Sequence, residues 1–561
     1  MVQRVLKAVY QEVRGLHQAA YILALFTFGS QLLALVRDRL LAHQFGAGIE
    51  LDLYYTAFRI PDFLYVLFAS TLSVYALIPF ISKRVEDGTQ NGARGLLSQI
   101  FSLFVVGYTV IALLAMIFAG KIVYYFFPGF VGEIDTLVLL IRILLIQPLL
   151  LGISSLFGVI TQLEHRFVLY AISPLIYNAG IILGLVFLYP IIGISGLAVG
   201  VLIGALGHVC IQIPFVLRSS LAPRFVTSIN FSDIRNVLYA SFTRAATLSL
   251  HQIVLFGLIG FASSMAIGSV SVFQFAFNLQ SVPLAIIGVS YSVAAFPLLA
   301  QLYAEKKFSE LSQNIVTTIR HILFWSLPAT ALFIVIRAQF VRVVLGTGAF
   351  DWNDTRLTAA VLALFMLSLA SQAIHLLLVR ALYAVENTKL PFYVTLFSSV
   401  LALLLSFIFY SLIASHGAFY TFLQEIMRLE GVGDIEVLAL PLGYSIALIL
   451  HSIVMLVYAQ KEVHISFRSF TRPFTQALLA SLFAGYVAYT ALNYFVTGVT
   501  ADTLLTIFTQ GAIAAFLGCA GYIFVQRLFK NQELSEIYRA LARKFSKEDI
   551  VIPQDEDTLA V

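Results

Sequence analysis

Charged side chains are concentrated where the first long apolar segment of the chain ends. Arg37, Asp38 and Arg39 close that segment, and Asp52 and Arg59 follow a Phe-Gly-Ala-Gly turn. A charge at the centre of a membrane helix costs about 2.5–3.5 kcal/mol on insertion scales, so such residues serve a purpose or lie at the interface. Guanidinium groups in this position would bind an anion such as a phosphate, whereas a carboxylate would bind a cation or orient an arginine.

The spacing of these charges leaves their roles open. Asp52 and Arg59 are seven residues apart and share one face of a helix, so a structural ion pair fits as well as a binding site. Arg39 is able to extend its side chain to the membrane surface. Arg37 lies one helical turn beyond Gly29–Leu33 of the same segment, and we expect it to face a cavity.

A second group of polar residues lies in two later apolar segments. Arg244 and His251 are seven residues apart and lie on one stripe of a helix, with Arg244 deep enough in its segment to indicate an aqueous cavity. Gln274, Asn278 and Gln280 follow in the next segment, where hydrogen bonds between helices and contacts to a ligand both explain them.

Apolar composition determines the class of protein that positions these residues. The chain has 561 residues, of which 60% are hydrophobic and 11% charged, and its mean hydropathy is +0.93. Apolar runs of about 20 residues recur, each long enough to cross roughly 30 Å of hydrocarbon as a helix. The strands of a membrane barrel would be about 10 residues long and alternate with a period of two, which these runs do not. We therefore predict an all-α polytopic membrane protein of about fourteen spans, at 19–36, 63–82, 96–118, 136–160, 168–189, 192–217, 236–262, 267–300, 315–336, 357–379, 391–414, 438–459, 473–496 and 503–526.

The distribution of Lys and Arg predicts the orientation of these spans. With the N-terminus in the cytoplasm, cytoplasmic segments hold about three times as many Lys and Arg as the opposite side, which the positive-inside rule favours. Both termini are then cytoplasmic, and the net charge of +5 reflects topology rather than binding to nucleic acid. No cleavable signal is evident. Cys210 and Cys519 lie in apolar spans and are interpreted as core residues, as are His208 and His375.

An internal duplication is indicated by two landmarks that share one offset. The run before Pro79 resembles the run before Pro297, and Pro174 opens span 5 as Pro391 opens span 11. Six spans separate equivalent positions, which gives parallel repeats of the kind found in transporters, although chance similarity of apolar sequence is the alternative. We predict a cytoplasmic segment, an N-lobe, a C-lobe, two extra helices and an amphipathic cytoplasmic tail, at 1–18, 19–217, 236–459, 473–526 and 527–561. The tail would lie on the inner leaflet or pack against the protein.

The sequence lacks the usual motifs of enzymes and ATPases. It has no Walker A pattern, HExxH helix, Cys/His metal spacing or nucleophile elbow. We expect a transporter rather than an enzyme, with no cofactor or metal. Any uphill transport would draw on an ion gradient or the membrane potential, worth about 2.3 kcal/mol per charge per 100 mV.

The charged hinge resembles the signature of the MurJ/MviN lipid II flippases of the multidrug/oligosaccharidyl-lipid/polysaccharide exporter superfamily. The resemblance covers about residues 20–525 and rests on Arg37–Asp38, Phe45–Gly48, Asp52, Ala57–Pro61, Arg166–Phe167, Pro174, Asn178, Arg380–Ala384, Asn387–Thr388 and Pro391. It implies a bacterial inner-membrane protein with two six-helix lobes around a central cavity. Such proteins move an undecaprenyl-linked peptidoglycan precursor outward by alternating access. The implied partners are this lipid-linked anionic substrate, the bilayer and proteins of cell-wall synthesis, with the carrier itself a monomer.

This chain departs from the family pattern at several charged positions. Gln31 and Tyr65 stand where many members have arginine, Ser70 stands where a glutamate is common, and Phe277–Asn278 stands where the family shows Asp-Arg. Arg244, where the family has small residues, would replace one of the missing charges. We predict that the headgroup and pyrophosphate contacts are Gln31, Arg37, Arg59, Arg244 and Asn278, and that Asp52 couples an ion or orients an arginine.

Two other functions fit the same sequence. An ion-coupled exporter of small amphiphiles, as in the drug-efflux branch of the superfamily, predicts a coupling carboxylate deep in a lobe, and the spans hold few acidic residues. A degenerate membrane scaffold without transport activity is favoured by the missing arginines and opposed by the retained Arg37 and Arg244.

Overall fold

Long apolar helices joined by short connections make up the structure, a computed structural model. It describes residues 16–69, 77, 81, 84, 90–228, 230–463, 465, 468–496 and 503–545. No strand occurs in these ranges, as the sequence predicts. The N-terminal half, defined here as residues 16–217, contains α1 (Leu16–Phe45), α2 (Ile49–Ala57), α3 (Arg59–Ala69), α4 (Gln90–Phe126), α5 (Ile134–Leu144), α6 (Gln147–Leu163), α7 (Phe167–Leu183), α8 (Tyr189–Ile192), α9 (Ser195–Cys210) and α10 (Ile213–Val216).

The remaining helices belong to the C-terminal half, defined here as residues 231–463, and to the segment that follows it. The C-terminal half contains α11 (Phe231–Ser263), α12 (Ser269–Leu284), α13 (Ser290–Ala304), α14 (Phe308–Leu345), α15 (Trp352–Met366), α16 (Leu369–Ala384), α17 (Lys389–Ala414), α18 (Ala418–Met427) and α19 (Ala439–Val463). After it come α20 (Arg468–Val496), α21 (Leu504–Leu528) and α22 (Gln532–Phe545). Single turns of 3₁₀- or π-helix at Pro128–Glu133, Gly184–Leu188, Ala285–Val289 and Glu436–Leu438 adjoin these helices.

Helix length and hydropathy confirm a protein with many membrane spans. Eleven helical segments of the described chain are long and apolar enough to cross a membrane, and the bent pair α15 and α16 makes a twelfth if it forms one span. These twelve correspond to predicted spans 3 to 14. The first predicted span lies within α1, and the second runs from α3 into residues 70–76, which lie outside the described residues. The count of fourteen and the exact lobe boundaries therefore stay predictions.

Close helix packing through glycine holds α7 against α9. A Cβ atom on Gly180 would lie 2.3 Å from the Cα of Gly204, and one on Gly200 would lie 2.4 Å from the Cα of Gly184. Small residues allow two backbones to approach in this way where lipid gives helices no hydrophobic reason to associate. The pair α17 and α19, six spans later, is also close, because a Cβ on Gly443 would lie 2.4 Å from the backbone nitrogen of Ser406. The two pairs lie at equivalent places of the predicted duplication, which stays a prediction.

The described part of the polar tail packs against the protein, which is one of the two alternatives that the sequence leaves open. Leu534 of α22 is buried in a cluster with Phe324 and Tyr522. Arg320 of α14 donates to the carboxylate of Glu533 over 2.5 Å. These contacts place α22 against α14 and α21, with residues 546–561 outside the described residues.

Candidate functional site

Arg37 and Asp38 form an ion pair near the end of α1. The Arg37 Nη2 and Nε atoms donate to Asp38 Oδ1 over 2.7 and 2.9 Å. Arg37 Nη1 donates to the Oδ1 atom of Asn178 on α7 over 2.9 Å. The Asp38 side chain is 4% exposed, whereas that of Arg37 remains 20% exposed. The guanidinium therefore has protein partners and still presents part of its surface to the surroundings.

The same ion pair begins a chain of hydrogen bonds that joins the two halves. Asn278 Nδ2, on α12, donates to Asp38 Oδ2 over 2.9 Å. Gln274 Nε2 donates to Asn278 Oδ1 over 2.7 Å, and Arg59 Nη2 donates to Gln274 Oε1 over 2.8 Å. We call this chain, from Arg37 through Asp38, Asn278 and Gln274 to Arg59, the cross-half network. Because charged hydrogen bonds are stronger than neutral ones, its two arginine ends anchor α1 and α3 to α12.

Asp52 makes a second connection between the halves, at the start of α12. Its carboxylate accepts hydrogen bonds from the backbone nitrogens of Gly268 and Ser271 over 2.6 and 2.7 Å, and from Ser271 Oγ over 2.5 Å. Asp52 is 1% exposed. Its carboxylate lies at the start of α12, where the first turn of a helix leaves N–H groups without partners inside the helix. Asp52 thus caps α12 from the opposite half of the protein.

Loop contacts beside Asp52 close this end of the bundle. The Ala349 nitrogen donates to the His43 carbonyl over 2.9 Å, and the Ala47 nitrogen donates to Asp354 Oδ2 over 3.1 Å. Gly46 has a φ of +59°, and a Cβ there would lie 2.6 Å from the carbonyl oxygen of Ala349, so glycine is required by both conformation and space. We call the loops 46–48, 264–268 and 346–351, with Asp52, the closed end.

Local sequence explains how the segment after α14 presents the Asp354 carboxylate to Ala47. Asp351 caps α15 by accepting from the Asp354 nitrogen over 2.8 Å, and Asp354 accepts in return from the Asp351 nitrogen over 3.3 Å. This reciprocal capping box fixes the Asp354 carboxylate, which then receives the Ala47 nitrogen. Arg39 adds hydrogen bonds to the carbonyls of Val343 and Val344 at the end of α14.

The structure brings together some of the predicted site residues and separates others. Arg37, Arg59 and Asn278 belong to the cross-half network, and Asp52 lies at the closed end. Gln31 is exposed on α1 and has no hydrogen bond within the described chain. The backbone of Arg244 belongs to α11, but its side chain lies outside the described residues.

Several alternatives from the spacing can now be decided. Asp52 and Arg59 do not bond each other, because Asp52 caps α12 and Arg59 bonds Gln274 and the Tyr55 carbonyl. Arg59 is 8% exposed, so it stabilises the junction in this conformation and presents little surface to a ligand. Gln274 and Asn278 hydrogen bond to other helices, which is one of the two explanations offered for these amides.

Sequence reasoning missed the partners that complete the site. The family resemblance includes Asn178 only as part of a run, and no motif distinguishes Ser271, Asp354 or His43. Their signal is weak, because serine and aspartate in the first turn of a helix are common in any protein. Pairing them with Asp52 and Ala47 requires the register between segments more than 200 residues apart.

Sequence comparison identifies the family. A sequence model of the family described as "Lipid II flippase MurJ" matches residues 41–509, which is most of the chain. The chain belongs to the lipid II flippase MurJ family. A relative in Buchnera aphidicola subsp. Acyrthosiphon pisum, named "Probable lipid II flippase MurJ", is 29% identical over 385 residues, covering 67% of this chain and 75% of the relative. A relative of the same name in Thermotoga maritima is 27% identical over 382 residues, covering 67% of this chain and 76% of the relative.

Solved structures show that the fold is that of this MurJ family and of its wider superfamily. A structure described as "Lipid II flippase MurJ, inward closed conformation" aligns with a TM-score of 0.72 and 23% identity over 93% of this chain and 100% of that chain. An inward-facing multidrug resistance MATE transporter of the MOP superfamily aligns with a TM-score of 0.63 and 13% identity, over 78% of this chain and 94% of the other. Because flippases and drug transporters share the fold, substrate must be argued from the site.

Proposed function

We propose that this member of the MurJ family carries lipid II, or a related undecaprenyl-linked oligosaccharide, outward across the bacterial inner membrane. Family membership over residues 41–509 is the broad support. The observation that carries the proposal is the guanidinium of Arg37, whose side chain is 20% exposed and which is part of a polar chain between the two halves. The protein acts as a transporter by alternating access and performs no covalent chemistry on its substrate.

Substrate binding proceeds by exchange of one anion for another. Asp38 neutralises Arg37 in the empty protein, and a pyrophosphate offers more acceptor oxygens and more negative charge. When the pyrophosphate binds the Arg37 guanidinium, the Asp38 carboxylate loses its bonds to Arg37 and is repelled by the new anion. Its hydrogen bond to Asn278 then weakens, which loosens α12 from α1. The lipid tail stays in the bilayer while the headgroup passes between the halves.

Opening of the closed end follows from the release of α12. The three hydrogen bonds of Asp52 must break before the halves separate there, and each bond to a charged group is worth about 1.5–3 kcal/mol. Loss of the cross-half network and loss of the Asp52 cap are linked, since both end on α12. With both termini in the cytoplasm, the closed end faces the outside, and the resting conformation receives substrate from the inside.

The energy for directed transport comes from the membrane potential or an ion gradient. One elementary charge moved through 100 mV supplies about 2.3 kcal/mol. The protein works as a monomer in the inner membrane beside the proteins of cell-wall synthesis that make and use its substrate.

Export of small amphiphiles is the second candidate function. The fold shared with MATE transporters favours it, as does the uncharged Gln31 where many relatives have arginine. Gradient-dependent efflux of a cationic dye from vesicles containing the purified protein, with no movement of lipid II, would select this function.

Complementation tests the leading proposal. Cells depleted of their own lipid II flippase should grow when they express this chain, and growth should be lost with Arg37→Ala. A matched control is Arg142→Ala, since Arg142 is an exposed arginine that bonds only the Met116 carbonyl within the described residues and lies outside the cross-half network. Growth that survives Arg37→Ala at equal protein level would contradict the site, and failure of the unaltered, membrane-inserted chain to rescue would contradict the function.

A further inference from the structure

Three histidines on three helices form a cluster inside the C-terminal half. His251 lies on α11, His375 on α16 and His451 on α19. The rings of His375 and His451 meet at right angles, with centroids 4.2 Å apart. His451 Nδ1 is 2.6 Å from Ser398 Oγ on α17. The cross-half network and the closed end use none of these rings.

Each ring of the close pair has one buried nitrogen without a hydrogen-bond partner. These atoms are His375 Nδ1 and His451 Nε2. Nearly all buried polar atoms in folded proteins have partners, so two touching rings that each have a nitrogen without a partner among the described residues are candidates for binding a small ligand. His375, which the sequence suggests is a core histidine, thus has one ring nitrogen without a hydrogen-bond partner within the described residues.

The type of atom that is free at the His375–His451 pair indicates which cation would bind there. Structural and catalytic zinc sites use three or four protein ligands, and no group of three or more His, Cys, Asp or Glu in the described chain is placed to hold a metal. Hard cations prefer oxygen ligands, whereas the free atoms here are imidazole nitrogens. The remaining cation is the proton, for which imidazole is the side chain suited to physiological pH.

We propose that His375 and His451 form a proton-binding site that couples transport to proton movement. A hydronium ion gives one proton to the lone pair of a free imidazole nitrogen, so that one N–H bond forms, one O–H bond of the hydronium breaks, and a water molecule is released. A second proton is opposed by the charge of the first at this ring separation, so the pair takes one proton and titrates as a unit. The proton later returns to water on the other side, which moves one positive charge across the membrane.

Exposure decreases along the cluster and gives the proton a route. His251 is exposed, His375 is partly buried and His451 is 1% exposed. His251 interacts electrostatically with His375 and lies beside the ring of Tyr444, the other titratable group next to the cluster. Neither ring of the pair bonds an Asp, Glu, Lys or Arg within the described residues, so no fixed charge holds the proton there permanently.

Residues next to the pair contact α12, the helix at the junction between the halves. Gln372, one turn before His375 on α16, donates to Gln280 Oε1 on α12 over 3.1 Å. The ring of His251 lies 6.4 Å from that of Phe277, the residue before Asn278 on the same helix. A charge gained at the pair therefore acts on α12, which both the cross-half network and Asp52 hold.

Vesicles containing the full-length protein and fluorescent lipid II test this inference, which rests on the proposed function. With a pH gradient and no potential, the unaltered protein should move lipid II at least about fivefold faster than without the gradient, with matching proton flux reported by an internal pH dye. His375→Gln and His451→Gln should lose both responses, with folding checked by the unfolding temperature. His208→Gln is the matched control, because His208 makes the same 2.6 Å Ser–His contact, with Ser154, but has no second imidazole in ring contact.

The outcomes separate the two proposals. Lipid II movement that responds to a potassium diffusion potential, with no response to the pH gradient and no proton flux, overturns the proton site and leaves the flippase function intact. No lipid II movement under any condition overturns the function. The site is then judged separately, by ¹⁵N imidazole shifts of the purified protein titrated with acid. Joint uptake of one proton by His375 and His451 supports it, and two independent titrations or none overturn it.

Discussion

Arg37 has two anionic or polar partners from different parts of the chain, and only one of them is its neighbour in sequence. Asp38 supplies the charge, and Asn178 fixes the position of the guanidinium from α7. Removal of one member of such a pair leaves the other charge without compensation, which is more costly than removal of both. The contribution of this ion pair to stability is therefore best measured as the coupling energy between Arg37 and Asp38.

Asp38→Asn should lower the unfolding temperature of the detergent-solubilised protein by a few degrees, because Arg37 loses a charged hydrogen bond worth about 1.5–3 kcal/mol. The double variant Arg37→Gln/Asp38→Asn should cost less than the sum of the two single variants, with a coupling energy of at least about 0.5 kcal/mol. Thermal unfolding followed by fluorescence provides the measurement. Strict additivity of the three variants would show that the pair is not coupled.

The sequence predicts which residues at this scale are unusual, but not what they bond. Arg37, Arg59 and Asn278 stand out because charge and amide groups are costly in apolar segments. The bond from Asn278 to Asp38 joins positions 240 residues apart, and no local pattern encodes that distance. Only the position of α12 within hydrogen-bonding distance of α1 and α3 decides that this amide serves the protein rather than a ligand.

At the scale of helices, α12 is the element that the N-terminal half holds at two places. Its first turn receives Asp52, and its third receives the cross-half network. The position of α12 in the membrane was predictable from hydropathy. Its capping by a residue of α2 was not, since the usual capping residue precedes a helix in sequence and here it comes from the other half.

Asp52→Ala should open the closed end, because α12 loses three hydrogen bonds to a charged acceptor. Ser269, a buried residue in the first turn of α12, provides an isosteric reporter as Ser269→Cys after both native cysteines are replaced by serine. A membrane-impermeant thiol reagent should react at least about tenfold faster with this cysteine in the Asp52→Ala background, as expected for a loss above about 1.4 kcal/mol. Equal modification rates in both backgrounds would contradict a role for Asp52 in holding the closed end together.

Gly200→Ala should destabilise the pair α7 and α9, since the new methyl group would meet the backbone of Gly184 rather than a movable side chain. Overpacking of this kind costs about 1–3 kcal/mol. Size-exclusion chromatography after heating measures the fraction that remains folded. Gly120→Ala on α4 is the matched control, because no atom lies within 4 Å of the added methyl group, and its loss of folded protein should be smaller. Equal losses would show that the contact between α7 and α9 at Gly200 has room for a methyl group.

For the whole molecule, orientation follows from charge and remains open to a direct test. The positive-inside rule predicts that both termini are cytoplasmic and that the segment 415–437 lies outside. In a background without native cysteines, Glu430→Cys should react with an impermeant reagent in intact cells. Lys306→Cys, which is also exposed, should react only after permeabilisation. The reverse pattern would invert the topology and with it the direction that the closed end faces.

In the empty protein, the Asp38 carboxylate bonds Arg37 in the way that an anionic substrate would and so acts as an internal pseudosubstrate. Because the Asp38 carboxylate already bonds the guanidinium to which a phosphate would bind under the proposed function, Arg37 carries no uncompensated charge in the empty protein. Under that proposal, an empty carrier that cycled freely would dissipate the ion gradient without exporting anything, and the neighbouring aspartate would prevent this leak.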